Sequence, residues 1–163
     1  MQTATSDVLV KLVGAIARTD GEHAVQIPEL MMYRFSAVTD PLPCVYGLGL
    51  GIILQGSKRI TLGEEIFEYG PGQSLVTSLD LPVVSYITQA NPYLGVLLKL
   101  DARVIAQMAA EVDFSAPLKV TTSSRAMSVV TLDDGVLDAI TRLIQLLDEP
   151  QLIPHVAPLI QQE

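Results

Sequence analysis

Histidine and cysteine, the side chains that most often carry metal or nucleophilic chemistry, are rare in this sequence. The chain holds two histidines, His23 and His155, and a single cysteine, Cys44. A mononuclear metal site in a small β-barrel requires several ligands that converge from neighbouring strands. Because the two histidines lie near opposite ends of the chain, outside the predicted core strands, we predict no metal site and no cofactor.

Cys44 has no histidine near it in the sequence that could act as its base, so we predict no catalytic residue. A lone cysteine among apolar neighbours usually packs as a small hydrophobic residue. A reactive cysteine must be exposed and partly ionised, which a sequence does not reveal. Both interpretations of Cys44, a packed residue and a reactive sensor, therefore stay open.

Glycine alternates with leucine from Gly47 to Gly51. This run does not open a helix, as a dinucleotide-binding glycine loop must, and its period of two is that of a strand. One face of that strand is predicted to carry Tyr46, Leu48, Leu50, Ile52 and Leu54, whereas the glycine face has no side chains. Glycine inside a strand often marks the close approach of a ligand or of another backbone. The pattern therefore indicates either tight packing or a slot for a ligand.

Polar side chains near this strand have the chemistry to orient a small ligand. A tyrosine hydroxyl and a glutamine amide each donate and accept hydrogen bonds, and apolar strand faces bury the body of a ligand. We expect an effector that is small, largely apolar and uncharged or weakly polar, bound at the mouth of the barrel. The predicted ligand-binding residues are Tyr33, Cys44, Tyr46, Gln55, Tyr86 and Tyr93.

The charge balance argues against direct contact with polyanions. Ten Lys and Arg residues stand against 18 Asp and Glu residues, which gives a formal net charge of −8. Affinity for nucleic acid comes largely from neutralised phosphates, so this chain is not expected to bind DNA or an anionic membrane by itself. No secretory signal and no run of ~20 apolar residues is evident, and we expect a cytoplasmic protein.

The spacing of apolar residues changes twice along the chain and predicts one domain in three parts. These parts are a helix over residues 6–19, an antiparallel β-barrel over 24–100 and a helical part over 101–163. Strands are predicted over 30–38, 45–55, 58–62, 65–69, 74–79, 83–89 and 93–100. In the helical part, helices are predicted over 101–112, from Asp133 or Asp134, and from Pro154, with a polar loop over 113–131. Strands followed by segregated helices make an α+β fold.

The helix that begins at Asp133 or Asp134 carries a wide apolar stripe. A barrel of this size need not cover both C-terminal helical segments, and uncovered apolar area favours self-association about a two-fold axis. We therefore predict a homodimer. The predicted dimerisation residues are Leu137, Ile140, Ile144 and Leu147.

Ordered motifs run through most of the chain. They include Pro43-Cys44-Val45-Tyr46, Leu54-Gln55-Gly56-Ser57-Lys58-Arg59, Tyr69-Gly70-Pro71-Gly72-Gln73-Ser74-Leu75, Ser78-Leu79-Asp80-Leu81-Pro82-Val83 and Leu98-Lys99-Leu100-Asp101. With these motifs the chain resembles the N-terminal domain of AraC-type bacterial transcriptional regulators. The sequence departs from that pattern at Gly47-Leu48-Gly49, where the family usually reads Glu-Pro-Ser, so the ligand preference of relatives does not transfer.

The resemblance implies a cupin-like barrel or jelly roll that binds an effector or pairs two protomers. It also implies helix-turn-helix units that read DNA, expected after residue 163. The leading hypothesis is thus a non-enzymatic effector-sensing and dimerisation domain. One alternative is a small cupin enzyme, such as an isomerase or dioxygenase. Another is a pure dimerisation domain whose barrel is filled by its own side chains.

Overall fold

The computed structural model describes residues 2–103, 106, 120–123 and 127–163 of the chain. Its helices are α1 (Gln2–Ile16), α2 (Asp134–Gln145) and α3 (Ile153–Gln161), with two 3₁₀ turns, Leu146–Asp148 and Pro150–Leu152, between the last two. The strands of the described part are β1 (Gly21–Ala24), β2 (Leu30–Phe35), β3 (Leu42–Tyr46), β4 (Gly49–Leu62), β5 (Glu65–Tyr69), β6 (Gln73–Thr77), β7 (Leu81–Lys99), β8 (Val120–Ser123) and β9 (Met127–Thr131).

The strands pair antiparallel in the order β1-β2-β7-β4-β6-β9-β8, with β3 added on β7 and β5 on β4. The long strands β4 and β7 each pair with different partners along their two halves. We call the group β1-β2-β7-β4-β6-β9-β8 the first layer, which uses residues 49–55 of β4 and 93–99 of β7. The second layer is β3-β7-β4-β5, which uses residues 57–62 of β4 and 81–89 of β7.

Two apolar clusters follow from the alternation of side chains along these strands. Ile53, Phe67, Tyr93 and Val129 belong to the cluster on the inner faces of the layers. Leu30, Met32, Ile52, Val96 and Leu98 point out of the first layer and pack against the helices. The sheet is therefore buried on both faces of its first layer.

The helices are formed where the sequence supplies caps and an apolar stripe. Asp133 caps α2 by accepting a hydrogen bond from the backbone N–H of Gly135 at 3.0 Å, as predicted. In α1, Leu9 and Val13 are fully buried on one side. This helix spans residues 2–16, whereas the sequence predicted 6–19, and β1 begins at Gly21.

The strand boundaries correct two further predictions. Residues 45–55 and 58–62 belong largely to one bent strand, because the chain continues through a bulge at Gly56 beside β7. Residues 83–89 and 93–100 likewise join in β7. Pro43 lies inside β3, which pairs on one side with β7, and an edge position tolerates the missing N–H.

The predicted polar loop over 113–131 was wrong where the structure describes it, and the helical part over 101–163 contains two strands. Strand β9 pairs with β6 and buries Met127 and Val129 completely in the inner cluster. The flanking serines had hidden this short alternating pattern. Of the helix predicted over 101–112, the described part shows Asp101 accepting a hydrogen bond from the N–H of Arg103 at 2.7 Å, and the rest lies outside the described residues.

Among the described residues, no helix combines the length and apolar character that a membrane crossing requires.

Candidate ligand-binding site

Four tyrosines lie on the inner faces of the two layers. Tyr33 and Tyr93 come from the first layer, and Tyr46 and Tyr69 come from the second. The alternation of side chains along the strands fixes this placement. Tyr33 lies opposite Gly95 of β7 and Tyr69 lies opposite Lys58 of β4, and residues that lie opposite each other face the same side of the sheet. We call Tyr33, Tyr46, Tyr69 and Tyr93 the tyrosine cluster.

The cluster consists of neutral phenols. Burial, reinforced by the charge of Glu22, raises the pKa of Tyr33 to about 12. Burial likewise raises the pKa values of Tyr69 and Tyr93, with smaller contributions from the other cluster hydroxyls. At neutral pH the hydroxyls of Tyr33, Tyr69 and Tyr93 therefore keep their protons and are available as hydrogen-bond donors.

One member of the cluster is left without a partner. The hydroxyl of Tyr46 is buried and makes no hydrogen bond with a described residue. A buried polar atom without a partner costs free energy, so natural folds rarely retain one without a reason. Tyr46 was predicted to share a face with Leu48, but the chain leaves the strand after Tyr46 and begins β4 at Gly49. This break turns Tyr46 into the interior.

The glycines of the inner face make room for these tyrosines. A Cβ atom on Gly51 would lie 2.9 Å from the Tyr69 hydroxyl, and one on Gly95 would lie 2.8 Å from the Tyr93 hydroxyl. The glycine face of β4 therefore looks inward, while Leu50, Ile52 and Leu54 pack towards the helices. Of the two interpretations of the glycine run, the structure shows close packing at Gly51.

Cys44 lies beside the cluster, half-buried on the inner face of β3. Its Sγ donates a weak hydrogen bond to Ser85 Oγ at 3.7 Å. Cys44 also contributes to an open, mostly apolar groove of about 580 Å³ between β3, β4 and β7. Its remaining lining residues are Pro43, Val45, Thr61, Gly63, Pro82, Val83 and Val84.

Two of the predicted ligand-binding residues have other partners. Gln55 donates from Nε2 to the carbonyls of Asn91 and Pro92, at 2.9 and 2.8 Å, and so ties the bend of β4 to that of β7. Tyr86 lies between the inward Ser85 and Ile87, so it faces outward, where its hydroxyl accepts a hydrogen bond from Arg59 at 3.0 Å.

Sequence reasoning missed Tyr69 and Lys58. Tyr69 ends a predicted strand that contains two glutamates, a composition typical of a solvated strand face. Lys58 pairs with Ile87 and Tyr69 and therefore faces inward, with its Nζ atom 5.2 Å from the centre of the Tyr46 ring. Its inward direction was hidden because strands were predicted separately over 45–55 and 58–62, which lost the register across Gly56.

No group of three or more His, Cys, Asp or Glu side chains that could hold a metal ion is found among the described residues.

Most of the predicted dimerisation stripe is buried within the single chain. Leu137, Ile140 and Ile144 belong to the cluster between the first layer and the helices, where α1 packs against α2. These three side chains therefore need no second copy to cover them. Leu147 is half-buried and lines an open groove of about 420 Å³ between α1 and α2, together with Leu12, Ala15, Ile16, Val25, Gln26, Ile144 and Asp148.

A family model described as the N-terminus of AraC-type transcriptional regulators matches residues 26–163. The chain belongs to this family. The motifs at residues 42–101 had indicated the same assignment, which is thus confirmed. A search among curated proteins gave no match to this AraC-type domain.

Two solved structures of ToxT support the fold. ToxT from Vibrio cholerae O395 is 7% identical over 76% of this chain and 48% of its own, with a TM-score of 0.51. ToxT with bound unsaturated fatty acid, from strain SCE256, is 7% identical over 75% of this chain and 47% of its own, with a TM-score of 0.50. The AraC-like activator CuxR is 17% identical over 82% and 49%, with a TM-score of 0.45.

The AraC-type domain thus spans about half the length of these solved chains. The predicted α+β class, a cupin-like antiparallel β fold with a short N-terminal helix and two to three C-terminal helices, is confirmed, and the described residues contain two of those C-terminal helices.

Proposed function

We propose that this AraC-type domain is the non-enzymatic regulatory part of a DNA-binding transcription regulator, and that it senses a small effector between its two sheet layers. The family assignment supports the regulatory role. A regulator of this kind acts where the DNA is, so we place the protein in the cytoplasm, and DNA is read by a segment outside these residues.

The observation that carries effector sensing is the buried, unpartnered hydroxyl of Tyr46. Pockets for small molecules are mostly apolar and contain a few polar groups that fix the ligand's orientation. The inner cluster has this composition, since Tyr46 and Tyr33 stand among Ile53, Ile60 and Phe67. A ligand that accepts a hydrogen bond from Tyr46 would remove the desolvation cost of that hydroxyl.

A solved ToxT structure holds an unsaturated fatty acid, a ligand with a long apolar body. At 7% identity the likeness extends to the fold alone, so no ToxT residue role is carried over. The ToxT complex supports the proposal only in that one protein with this fold takes an apolar ligand.

Strand β4 provides a physical route from the effector to the helices. Ile53 points to the interior, whereas its neighbours Ile52 and Leu54 pack in the cluster that includes α1 and α2. A ligand regulates only by binding one conformation better than another. We propose that it does so by shifting β4, and with it the helices on the opposite face of the first layer.

Effector sensing can be tested by titrating the purified chain with two apolar probes, octan-1-ol and octanoate, in a calorimeter. We expect at least one probe to bind with one-to-one stoichiometry. Tyr46→Phe should weaken this binding, whereas Tyr86→Phe, which removes an outward hydroxyl, should leave it unchanged. If Tyr86→Phe weakens binding and Tyr46→Phe does not, the ligand does not bind at the tyrosine cluster.

The groove between α1 and α2 favours a second role in pairing two copies. Leu12, Ile16 and Leu147 form an apolar strip on its walls. An isologous contact about a two-fold axis would cover this strip in both copies at once. We propose that the homodimer predicted from the sequence uses this groove and that, of the four predicted residues, Leu147 makes the contact.

A further inference from the structure

The two sheet layers differ in what covers their outer faces. Helices α1 and α2 pack on the outer face of the first layer, where Ile52 and Val96 are buried in the same cluster as the helices. The described residues leave the outer face of the second layer exposed. Val45 of β3 is 70% exposed and Ile66 of β5 is 59% exposed, although both are apolar side chains inside paired strands.

These exposed side chains belong to one continuous patch. They point outward because their chain neighbours, such as Cys44 and Phe67, belong to the inner cluster. The register places them side by side across β3, β7, β4 and β5. We call this surface the outer patch, and it consists of Pro43, Val45, Thr61, Ile66, Pro82 and Val84. All of these except Ile66 line the open groove of about 580 Å³ described above.

The outer patch offers a partner its face, because the neighbouring edge of β3 is blocked. Pro43 and Pro82 have no N–H, so the pairs Pro43–Val84 and Val45–Pro82 are not hydrogen-bonded pairs. The backbone groups of Pro43 and Val45 therefore point away from β7, towards the free edge of β3. Because Pro43 offers no N–H there, the edge is poorly suited to an added strand. An occupant that contacts side chains is favoured over one that extends the sheet.

The size of the outer patch suits one helix. Four strands about 4.8 Å apart make it about 14 Å wide, and the five residues of β3 make it about 17 Å long. A helix is about 10 Å across, and three of its turns are about 16 Å long. The planar area of about 240 Å² is far below the roughly 800 Å² that each partner buries in a stable pair of globular proteins. A second copy of this chain would therefore find too little surface here.

The charges around the outer patch are negative. Glu64, Glu65 and Asp80 are exposed where β4 turns into β5 and where β7 begins. None of the three lies within 4.0 Å of a side-chain nitrogen of a described Lys or Arg. Between residues 35 and 98 the only basic residues are Lys58, which faces inward, and Arg59, which pairs with Glu68. This rim complements a cationic partner and opposes contact with a second, equally acidic copy.

We propose that the outer patch is a docking site for an amphipathic helix of another protein, with Lys or Arg beside its apolar stripe. The apolar stripe would cover Val45 and Ile66, and the basic residues would face the carboxylates of the rim. Arg59, which stacks over the Tyr86 ring at 5.9 Å, borders the patch, and these two residue types are enriched at the energetic centres of protein interfaces. The site is independent of the proposed effector site, which lies between the layers.

The experiment measures the fluorescence anisotropy of two labelled helix-forming peptides of about 14 residues as residues 1–163 are added. Both peptides carry leucine at positions i, i+3, i+4 and i+7 of their helical repeat. The other positions are lysine in one peptide and glutamate in the other. The lysine peptide should bind about tenfold more tightly or better, because several weak surface ion pairs form with it and several repulsions form with the glutamate peptide.

A pair of apolar substitutions locates the bound peptide. The variant Val45→Thr with Ile66→Thr keeps residues that favour strands and removes exposed apolar groups, so the fold should be retained. It should weaken binding of the lysine peptide about tenfold, since less apolar surface is buried. The matched control is Val8→Thr with Leu159→Thr, which changes two exposed apolar residues of α1 and α3 and should alter the affinity less than about twofold.

A pair of charge substitutions separates the local rim from the net charge of the chain. Glu64→Gln with Glu65→Gln should weaken the lysine peptide about threefold or more and reduce its advantage over the glutamate peptide. Asp7→Asn with Glu149→Gln removes the same number of negative charges at exposed positions away from the patch. This control should leave the affinity within about twofold of the unaltered chain.

Three outcomes would overturn the proposal. The unaltered chain might bind neither peptide, or the Val45→Thr and Ile66→Thr variant might bind the lysine peptide as tightly as the unaltered chain does. In sedimentation, dissociation of a dimer by that variant, but not by Val8→Thr with Leu159→Thr, would show that a second copy occupies the outer patch. Weaker binding of the lysine peptide by the Val45→Thr and Ile66→Thr variant, with an unchanged oligomeric state, is the result expected.

Discussion

At the scale of single residues, tyrosine rings fill the space that side chains at the inward-facing glycines would otherwise occupy. Gly51→Ala would place a Cβ atom 2.9 Å from the Tyr69 hydroxyl, and the rigid ring cannot move its oxygen without displacing its neighbours. We expect a loss of about 1–3 kcal/mol in the free energy of unfolding, the usual cost of overpacking. Urea denaturation measures this loss.

Two controls distinguish this clash from a general effect of replacing glycine. Gly51→Ala combined with Tyr69→Phe removes the clashing oxygen and should recover part of the stability. Gly14→Ala lies in α1 with open space around the new methyl group and should stabilise the protein by about 0.5–1 kcal/mol. A loss in Gly51→Ala that Tyr69→Phe leaves unchanged would show that the ring is not the cause.

The tyrosine cluster also predicts how stability depends on alkaline pH. The folded-state pKa of Tyr33 is raised from 10.0 to about 12 by burial, and those of Tyr69 and Tyr93 are raised as well. Ionisation therefore favours the unfolded chain, so stability should be intact below pH 10 and should fall as the pH rises from 10 towards 12.

Absorbance at 295 nm, recorded with circular dichroism during an alkaline titration, checks this expectation. Three of the five tyrosines should ionise only together with loss of the fold. A reversible titration of all five near pH 10 with the fold intact would contradict the burial of the cluster.

Residue types near the site were predictable, but their directions were only partly so. Tyr33, Tyr46 and Tyr93, three of the predicted ligand-binding residues, belong to the inner cluster. Tyr86 faces outward and Lys58 faces inward. The direction of Lys58 depends on the register across Gly56, because a bulge of one residue reverses the direction of every later side chain in that strand.

At the scale of elements, the bends of β4 and β7 are tied together by Gln55. Its amide donates to the carbonyls of Asn91 and Pro92, which leave the regular ladder at the bend. Gln55→Ala should lower the free energy of unfolding by about 1–2 kcal/mol, since it removes two hydrogen bonds, one exposed and one partly buried, that each contribute about 1 kcal/mol or less.

Thermal or urea unfolding of Gln55→Ala gives this value, and Gln151→Ala, an exposed glutamine before α3, is the matched control. Equal stability of the two variants would mean that the bend is maintained without Gln55.

The alternation of side chains predicted that strands exist at β4 and β7. It could not predict that two strands bend together, because the bend depends on a contact between residues 36 positions apart.

Helix α2 offers a test of an element whose start was predicted correctly. Asp133→Ala removes the side-chain acceptor for the N–H of Gly135 and should cost about 1 kcal/mol, whereas Asp133→Asn retains an acceptor and should cost little. Urea denaturation compares the two variants. A similar loss in both would indicate that the charge at the helix start, and not the cap, is what stabilises α2.

At the scale of the whole molecule, the charge of −8 sets an expectation for DNA. The isolated chain should show no specific binding to duplex DNA in fluorescence anisotropy, even at low salt, because it lacks a clustered excess of Lys and Arg to neutralise phosphates. Bovine serum albumin serves as an acidic reference. Salt-sensitive binding of one promoter fragment over a scrambled one would contradict the prediction.

The assembly of two copies is decided by which apolar residues the single chain leaves uncovered. Periodicity located the stripe on α2, but it could not reveal that α1 covers Leu137, Ile140 and Ile144, because that contact joins distant parts of the chain. Leu147 remains at the open groove beside Leu12 and Ile16.

We expect the chain to sediment as a dimer at micromolar concentration. Leu147→Glu should shift it towards monomer, since a carboxylate buried in the contact would lack a partner. Leu159→Glu changes an exposed leucine of α3 outside the groove and should leave the dimer intact. If the unaltered chain sediments only as a monomer, or if Leu159→Glu and not Leu147→Glu dissociates the dimer, then this groove is not where two copies meet.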